Sequence, residues 1–287
     1  QHDFDCYRFD QPASQAGSDY LMITSSNLDE EIPVKCNTDA GEIFANVEAS
    51  ISLDLPWLQV SDAHEGVAAV IGGGPSLRSQ MPILLEHKRQ GHKIFTMNGT
   101  MRALHSAGIR SDYYVMLDAR PENLKFLDNL SADEFLIASQ CHPSVFNLLS
   151  HPLSVTLWHT NYPGLVDKIG DRECALIGGG TTVGLQSVSI AYAMGYREIH
   201  LYGFDSSYAG ESGHAYQQPQ NDNDTVYEYA VEGEKFMATR WMARQAMEFQ
   251  EASRQLAEGG ADIYVHGFGL LPQIAKHMSV ETVALAG

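Results

Sequence analysis

Val67-Ala-Ala-Val-Ile-Gly-Gly-Gly-Pro-Ser-Leu77 is a short apolar run that breaks into three glycines. The run reads as a buried strand, and the glycines as the turn that ends it. A helix is expected next, because Pro75 suits a first helical turn and Ser76 can offer an oxygen to free backbone N–H groups. Gly72, Gly73 and Gly74 let a backbone approach a phosphate closely, and the unpaired amides and dipole of a helix N-terminus favour negative charge there. A strand-to-helix turn without a ligand fits the same residues.

Downstream, the pattern repeats strand, polar end, helix. Leu77 to Gln90 has helical spacing, and Lys93 to Met97 is a strand ending at Asn98-Gly99. Thr100 to Ala107 is a helix, and Tyr113 to Leu117 a strand ending at Asp118. Phe135 to Ala138 ends at Ser139-Gln140, and Val155 to Trp158 at His159. In open parallel sheets ligands bind outside the carboxyl ends of the strands, so these polar residues could converge on one crevice, although each alone could be a cap or turn residue.

A second glycine turn follows: Ala175-Leu176-Ile177 leads into Gly178-Gly179-Gly180-Thr181-Thr182 and an apolar helix from Val183 to Met194. Hydroxyls and amides can hold phosphate or ribose without a lysine. Neither turn matches a Walker motif or a Gly-x-Gly-x-x-Gly fingerprint. Glu198 to Gly203 is a further strand, followed by Phe204-Asp205 and a polar loop with Tyr208, His214 and Tyr216. Asp205 could bind a ribose, ligate a metal or cap a turn. His214 is either an idle surface histidine or a general base. Thr225 to Glu258 reads as one long helix, Gly259-Gly260 stops it, and Ile263 to His266 is a final strand.

With 287 residues, 44% of them hydrophobic, the chain can bury a sizeable core. A net charge of −18 argues against a protein that grips nucleic acid through many phosphates. No apolar run is long enough to span a bilayer, and the amino-terminal residues lack the pattern of a signal peptide, so a cytoplasmic protein is expected. Cys6, Cys36, Cys141 and Cys174 are too scattered for a zinc knuckle or a disulfide framework. Residues 1–60 are acidic, with a patch at Asp29 to Glu31, a strand-like segment at Tyr20 to Thr24 and an amphipathic one at Ala45 to Leu55. They read as an N-terminal appendage or cap, or as a poorly ordered extension.

From about Val67 to Tyr216 the chain resembles the family of the archaeal 6-hydroxymethylpterin diphosphokinase (MptE-like) and the bacterial motility accessory factors (Maf), which glycosylate flagellin with nonulosonic acids. Gly73-Gly-Pro-Ser-Leu77 looks like that family's opening motif, and Gly203-Phe-Asp205 with Gly213-His-Ala215 looks like the Maf signature. Gly195-Tyr-Arg-Glu-Ile-His-Leu-Tyr-Gly-Phe-Asp205 is similar to the bacterial sialyltransferases with a Rossmann-like, GT-A-type fold. That resemblance implies a CMP site at Gly72 to Ser76, Asn98, Thr181, Thr182 and Asp205, a loop tyrosine, Tyr208, at the leaving phosphate, and His214 as base. Two departures stand out. Gly73 replaces an asparagine of the sialyltransferase turn, and Leu117-Asp-Ala-Arg120 and Ser139-Gln-Cys-His142 replace the diphosphokinase patterns Asp-Leu-Asp-Gly and His-Gly-Asp-Asn.

The expected fold is therefore α/β: a doubly wound, mostly parallel Rossmann-like sheet with helices on both faces in residues 61–287, and a small appendage before it. The first functional expectation is a transferase using a CMP-linked acidic sugar. His214 would be the base, Arg120 or Tyr208 would stabilise the departing phosphate, and Gly72 to Gly74, Ser76, Asn98, Asp118, Ser139, Gly180, Thr181, Thr182 and Asp205 would hold the nucleotide. Arg120 could instead pair with Glu122. This reading requires no cofactor. The alternatives are a diphosphokinase with magnesium on Asp118 and Asp205, and a nucleotide-binding module without catalysis. The acceptor stays unnamed, no nucleic-acid partner is expected, and a homo-oligomer is compatible with the sequence.

Overall fold

A computed structural model describes residues 20–22, 38–128, 130–149, 154–162, 164–216 and 224–285. Asp29 to Glu31, Cys6 and Cys36 lie outside them. From the opening run, β2 (His64–Ile71) passes through the glycines into α2 (Leu77–Arg89). Then come β3 (Lys93–Met97), α3 (Thr100–Ser106), β4 (Ser111–Met116), a 3₁₀ turn (Pro121–Leu127) and β5 (Ala132–Ala138). They are followed by α4 (Pro143–Leu149), β6 (Ser154–Thr160), a second 3₁₀ turn (Val166–Ile169) and the two-residue β7 (Leu176–Ile177). The chain then enters α5 (Val183–Ala193) and β8 (Tyr196–Tyr202).

Together with β11 (Asp262–Val265), seven of these strands form an eight-stranded sheet in the order β11-β8-β2-β3-β4-β5-β6-β7, every neighbouring pair parallel. The expected doubly wound α/β sheet is what the chain forms. Parallel strands are covered on both faces, which is why their sequences run apolar without alternation. Ala69, Ile71 and Ile94 meet Leu77 and Leu84 of α2 and Leu104 of α3, whereas Ala68, Val70 and Phe95 join the larger core with Leu185 and Val188 of α5. Each fully buried Leu or Ile in these layers contributes about 1.5–3 kcal/mol.

The strand order fixes where a ligand can sit. The chain steps outward from β2 to β7, and α5 then carries it back to β8 on the other side of β2. Connections leave in opposite directions at β2 and β8, so a crevice opens at their carboxyl ends.

The expectation of one helix over Thr225 to Glu258 is corrected. Residues Val226–Val231 form β9 and Glu234–Thr239 form β10, an antiparallel hairpin, and only Arg240–Glu258 is helical (α6). Glu232 and Gly233 both have positive φ, 48° and 85°, which suits a tight hairpin. Val226, Tyr227, Tyr229, Val231 and Phe236 are residues that strands favour, and the helical periodicity resides in α6 alone. The last helix, α7, is Leu270–Leu285.

The amino-terminal segment takes part in this architecture. Tyr20–Met22 (β1) pairs in parallel with β9. Ala40–Ile51 is helical (α1), capped by Asp39, whose carboxylate accepts from the Gly41 amide at 2.8 Å. Beyond it, the Leu58 amide donates to the Leu157 carbonyl at 2.7 Å and the Leu157 amide to the Pro56 carbonyl at 2.8 Å, so residues 56–58 run along β6.

At the opposite edge, four histidines gather beside α2. His87 contacts His92 (Nδ1 to Nδ1, 2.8 Å) and the Tyr202 hydroxyl (2.7 Å), and His200 contacts His266 (2.8 Å) and Glu198 (3.0 Å). Burial, then His200, His92 and His266, push the His87 pKa down to about 4, with Glu198 opposing. A histidine that is harder to protonate folded than unfolded leaves stability intact above its unfolded pKa, near 6.5, and removes it as pH falls toward the folded value. The resulting loss approaches ~3 kcal/mol at pH 4. Melting temperature followed from pH 7 to pH 4 should therefore fall less steeply in His87→Gln than in the wild type; parallel curves would show that His87 does not take up the proton.

Candidate functional site

The carboxyl ends of β2 and β8 meet at backbone distance. The Gly72 amide donates to the Tyr202 carbonyl and the Gly74 amide to the Gly203 carbonyl, each at 2.7 Å. A Cβ on Gly72 would lie 2.5 Å from the Gly203 oxygen, so only glycine fits. Of the three turn amides, that of Gly73 makes no such bond to β8.

Asp205 sits two residues beyond this junction, fully buried. Its carboxylate accepts from the Ser76 amide at 2.6 Å and from the Ser76 hydroxyl. Ser76 was expected to cap α2 with its own oxygen; it makes no such bond, and its hydroxyl donates to Asp205. The carboxylate supplies the negative charge that the helix N-terminus favours. Burial raises its pKa, and the two bonds from Ser76 act in the opposite direction.

The loop after Asp205 folds back over the glycine turn. The Ala215 amide donates to the Gly73 carbonyl at 2.9 Å, and Arg78 Nε donates to the Ala215 carbonyl at 2.8 Å. The Tyr216 ring lies between Gly73 and Gly99; a Cβ on either would come within 2.6 Å of it. Tyr216 is partly buried, and burial raises its hydroxyl pKa. Asn98, at the end of β3, has a φ of 48°, and beside its backbone the Tyr114 hydroxyl is fully buried without a well-formed hydrogen bond. His214 stacks on Tyr216 with ring centroids 6.2 Å apart, and Tyr208 packs where a Cβ on Gly213 would lie.

The second turn reaches the same end of the sheet. Thr182 caps α5, its hydroxyl accepting from the Leu185 amide at 3.3 Å, and Gly184 approaches the Phe204 ring. Here too a carboxylate is in place: Glu248 of α6 accepts from the Thr181 amide at 2.8 Å and the Thr181 hydroxyl at 2.9 Å.

The remaining strand ends divide into an open and a covered part. Arg120, paired with Glu122 in one reading of the sequence, instead grips Asp118, with contacts of 2.6 to 3.2 Å. Burial alone would raise the Asp118 pKa; Arg120 more than offsets this and holds it below the usual range. Ser139 and His159 lie under α1. Asn46 donates to the carbonyls of Ala119 and Gln140, both at 3.1 Å, and Ser50 to that of Ser139 at 2.6 Å. His159 Nε2 donates to the Leu165 carbonyl at 2.8 Å, so its Nδ1 accepts the Ser139 hydroxyl at 2.5 Å. Both are buried, and burial lowers the His159 pKa, keeping it neutral.

Of the residues singled out in the sequence, the structure brings together Gly72 to Gly74, Ser76, Asn98, Asp205 and the His214 loop around β2, β3 and β8, with Gly180 to Thr182 arriving through α5. Asp118 and Arg120 engage each other at the end of β4, and Ser139 is enclosed. Glu248 and Asn46 were not singled out. Glu248 was hidden in a helix read only for its packing, and Asn46 carries no motif.

The model of the 6-hydroxymethylpterin diphosphokinase MptE-like family matches residues 56–211. Among solved structures, a Maf glycosyltransferase from Magnetospirillum magneticum AMB-1 is 17% identical at a TM-score of 0.62, covering 79% of this chain. The chain spans 37% of that structure's length. A thiolation-reductase di-domain from an archaeal non-ribosomal peptide synthetase is 13% identical over 80% of this chain and 58% of its own, at a TM-score of 0.25. No curated protein sequence matches.

Two carboxylates at this end of the sheet should differ sharply in their worth to the fold. Asp205→Ala leaves buried donors on Ser76 unpaired and should cost about 1.5–3 kcal/mol, whereas Asp118→Ala breaks a partly exposed pair worth about 0–1 kcal/mol. Urea unfolding of both variants measures this, and equal losses would contradict a structural role for Asp205 at α2.

Proposed function

The chain belongs to the 6-hydroxymethylpterin diphosphokinase MptE-like family, and on that premise we propose that it is a nucleotide-binding transferase whose donor is a CMP-linked acidic sugar. The observation that carries this reading is the crevice at the β2/β8 reversal, where two glycine turns and a histidine-bearing loop meet. The fold shared with a Maf glycosyltransferase supports it. In this reading the nucleotide takes the place that the Tyr216 ring holds between Gly73 and Gly99, beside Asn98, so that Tyr216 must first move aside, and the Thr181 and Thr182 hydroxyls lie toward its phosphate.

His214 is the group that takes the proton. It lies on the loop that closes over the glycine turn, and a neutral imidazole there removes the proton from an acceptor hydroxyl as that oxygen attacks the sugar. The departing CMP phosphate carries the growing charge, which Tyr208 and Arg120 stabilise; Arg120 must first release Asp118.

The family name also raises diphosphate transfer with magnesium. The two carboxylates proposed for that ion fit it poorly: Asp118 is held by Arg120, and Asp205 is enclosed on Ser76. Among the described residues no group of three His, Cys, Asp or Glu is arranged to hold a metal. No step is assigned to magnesium.

His214→Ala should bind CMP with nearly wild-type affinity by calorimetry and consume CMP-N-acetylneuraminate ~10²–10⁴-fold more slowly. Loss of CMP binding would make His214 a recognition residue. A wild type that binds CMP but consumes no donor would identify a binding module, and magnesium-dependent diphosphate transfer from ATP would replace the sugar reading.

A further inference from the structure

One cation beside the crevice stands without a counter-charge. Every other arginine among the described residues meets a carboxylate or lies over an aromatic ring. Arg78 does neither among those residues; its side chain is held through Nε, which donates to the Ala215 carbonyl at 2.8 Å. In a chain of net charge −18 the reason is not a shortage of carboxylates. Position counts against Arg78 as well. It is the second residue of α2, whose first turn holds no acidic residue, and a helix dipole disfavours a cation at that end. The carboxylate at this helix start, Asp205, is committed to Ser76. An exposed cation so placed adds little to α2, and it is open to a ligand.

The bond to Ala215 fixes where the guanidinium lies. Ala215 directly follows His214 and precedes Tyr216, and its amide donates to the Gly73 carbonyl at 2.9 Å. The guanidinium therefore stands at the first glycine turn, against the backbone that carries the proposed base. With Nε–H committed, the two terminal nitrogens still present a planar fork, and such a fork pairs bidentately with a two-oxygen anion, a carboxylate or a phosphate.

The chemistry of the donor chooses between these two, so the inference rests on the reading of that donor as a CMP-linked acidic sugar. In a CMP-linked 2-keto acid sugar the carboxylate is borne on the same carbon that carries the CMP oxygen and that the acceptor attacks. It must therefore lie close to the group that takes the acceptor's proton, and Arg78 is the cation fixed beside His214. The phosphate, in that reading, is served by Thr181, Thr182, Tyr208 and Arg120. We propose that Arg78 binds the carboxylate of the donor sugar and so selects an acidic sugar over a neutral one, which would leave the cation without a partner.

The test is calorimetric titration of CMP and of CMP-3-fluoro-N-acetylneuraminate, a donor whose fluorine suppresses loss of CMP, into the wild type, Arg78→Gln and Arg78→Lys. Arg78→Gln should bind the fluorinated donor about 10-fold more weakly than the wild type while its affinity for CMP changes less than about 2-fold, because only the donor carries the carboxylate. Arg78→Lys, which keeps the charge and loses the fork, should recover part of the difference. Unchanged affinity for both ligands overturns the proposal. Equal weakening of both overturns it too, since Arg78 would then meet the phosphate or only hold the loop. A wild type that binds neither ligand refutes the CMP-sugar reading itself, and this shows before any variant is compared. Should Arg78→Gln not fold, the wild type decides: the Arg78 Nε–H resonance must shift further with the fluorinated donor than with CMP, and equal shifts, or none, overturn the proposal.

Discussion

A buried carboxylate holds this molecule's two halves in register. Taking a charge out of water costs several kcal/mol unless fixed donors replace the water, and for Asp205 they are the amide and hydroxyl of Ser76 at the start of α2. The bond joins residues 129 positions apart in sequence. One end follows β8, which the chain reaches only after crossing back over the sheet; the other follows β2, where the outward walk began. With the bonds from Gly72 and Gly74 to β8, this contact ties the two strand ends at which the winding reverses.

Glu248 on Thr181 repeats the arrangement at the second turn, and the repetition explains how a chain of net charge −18 builds anion-favouring turns without lysines. Backbone amides and hydroxyls at helix starts provide the positive potential, and the protein's own carboxylates occupy it. The two cases differ in what surrounds them. Asp205 has neutral donors only and is wholly enclosed, as a permanent cap must be. Glu248 is partly exposed and is itself paired with Arg244 of the same helix. The covering of β4, β5 and β6 by α1 narrows the crevice further, leaving the ends of β2, β3 and β8 as its working part.

Much of this was legible in the sequence because it depends on local patterns. Apolar runs ending in glycine or in a single polar residue located the central parallel strands, and Thr182 announced the start of α5. The β9–β10 hairpin was missed because the helical period of α6 runs directly behind it, and the marker, Glu232-Gly233, is a weak signal without knowledge of its φ values. Contacts across the sheet were out of reach: that Arg120 would choose Asp118 over Glu122, that Ser139 would be closed off by Asn46 and Ser50, or that Tyr216 would fill the gap between Gly73 and Gly99. Each depends on distances set by the assembled fold, and none leaves a spacing to read.

The central claim is that the reversal between β2 and β8 is where a ligand binds. The most direct measurement is a backbone amide NMR titration with CMP. The account predicts that shifts concentrate at Gly73, Gly74, Asn98, Gly99, Thr181 and the loop from Ser206 to Tyr216, while the amino ends of the strands, around Lys93 and Asp112, stay unmoved. Saturable shifts confined to any other surface, with these amides unchanged, would contradict it.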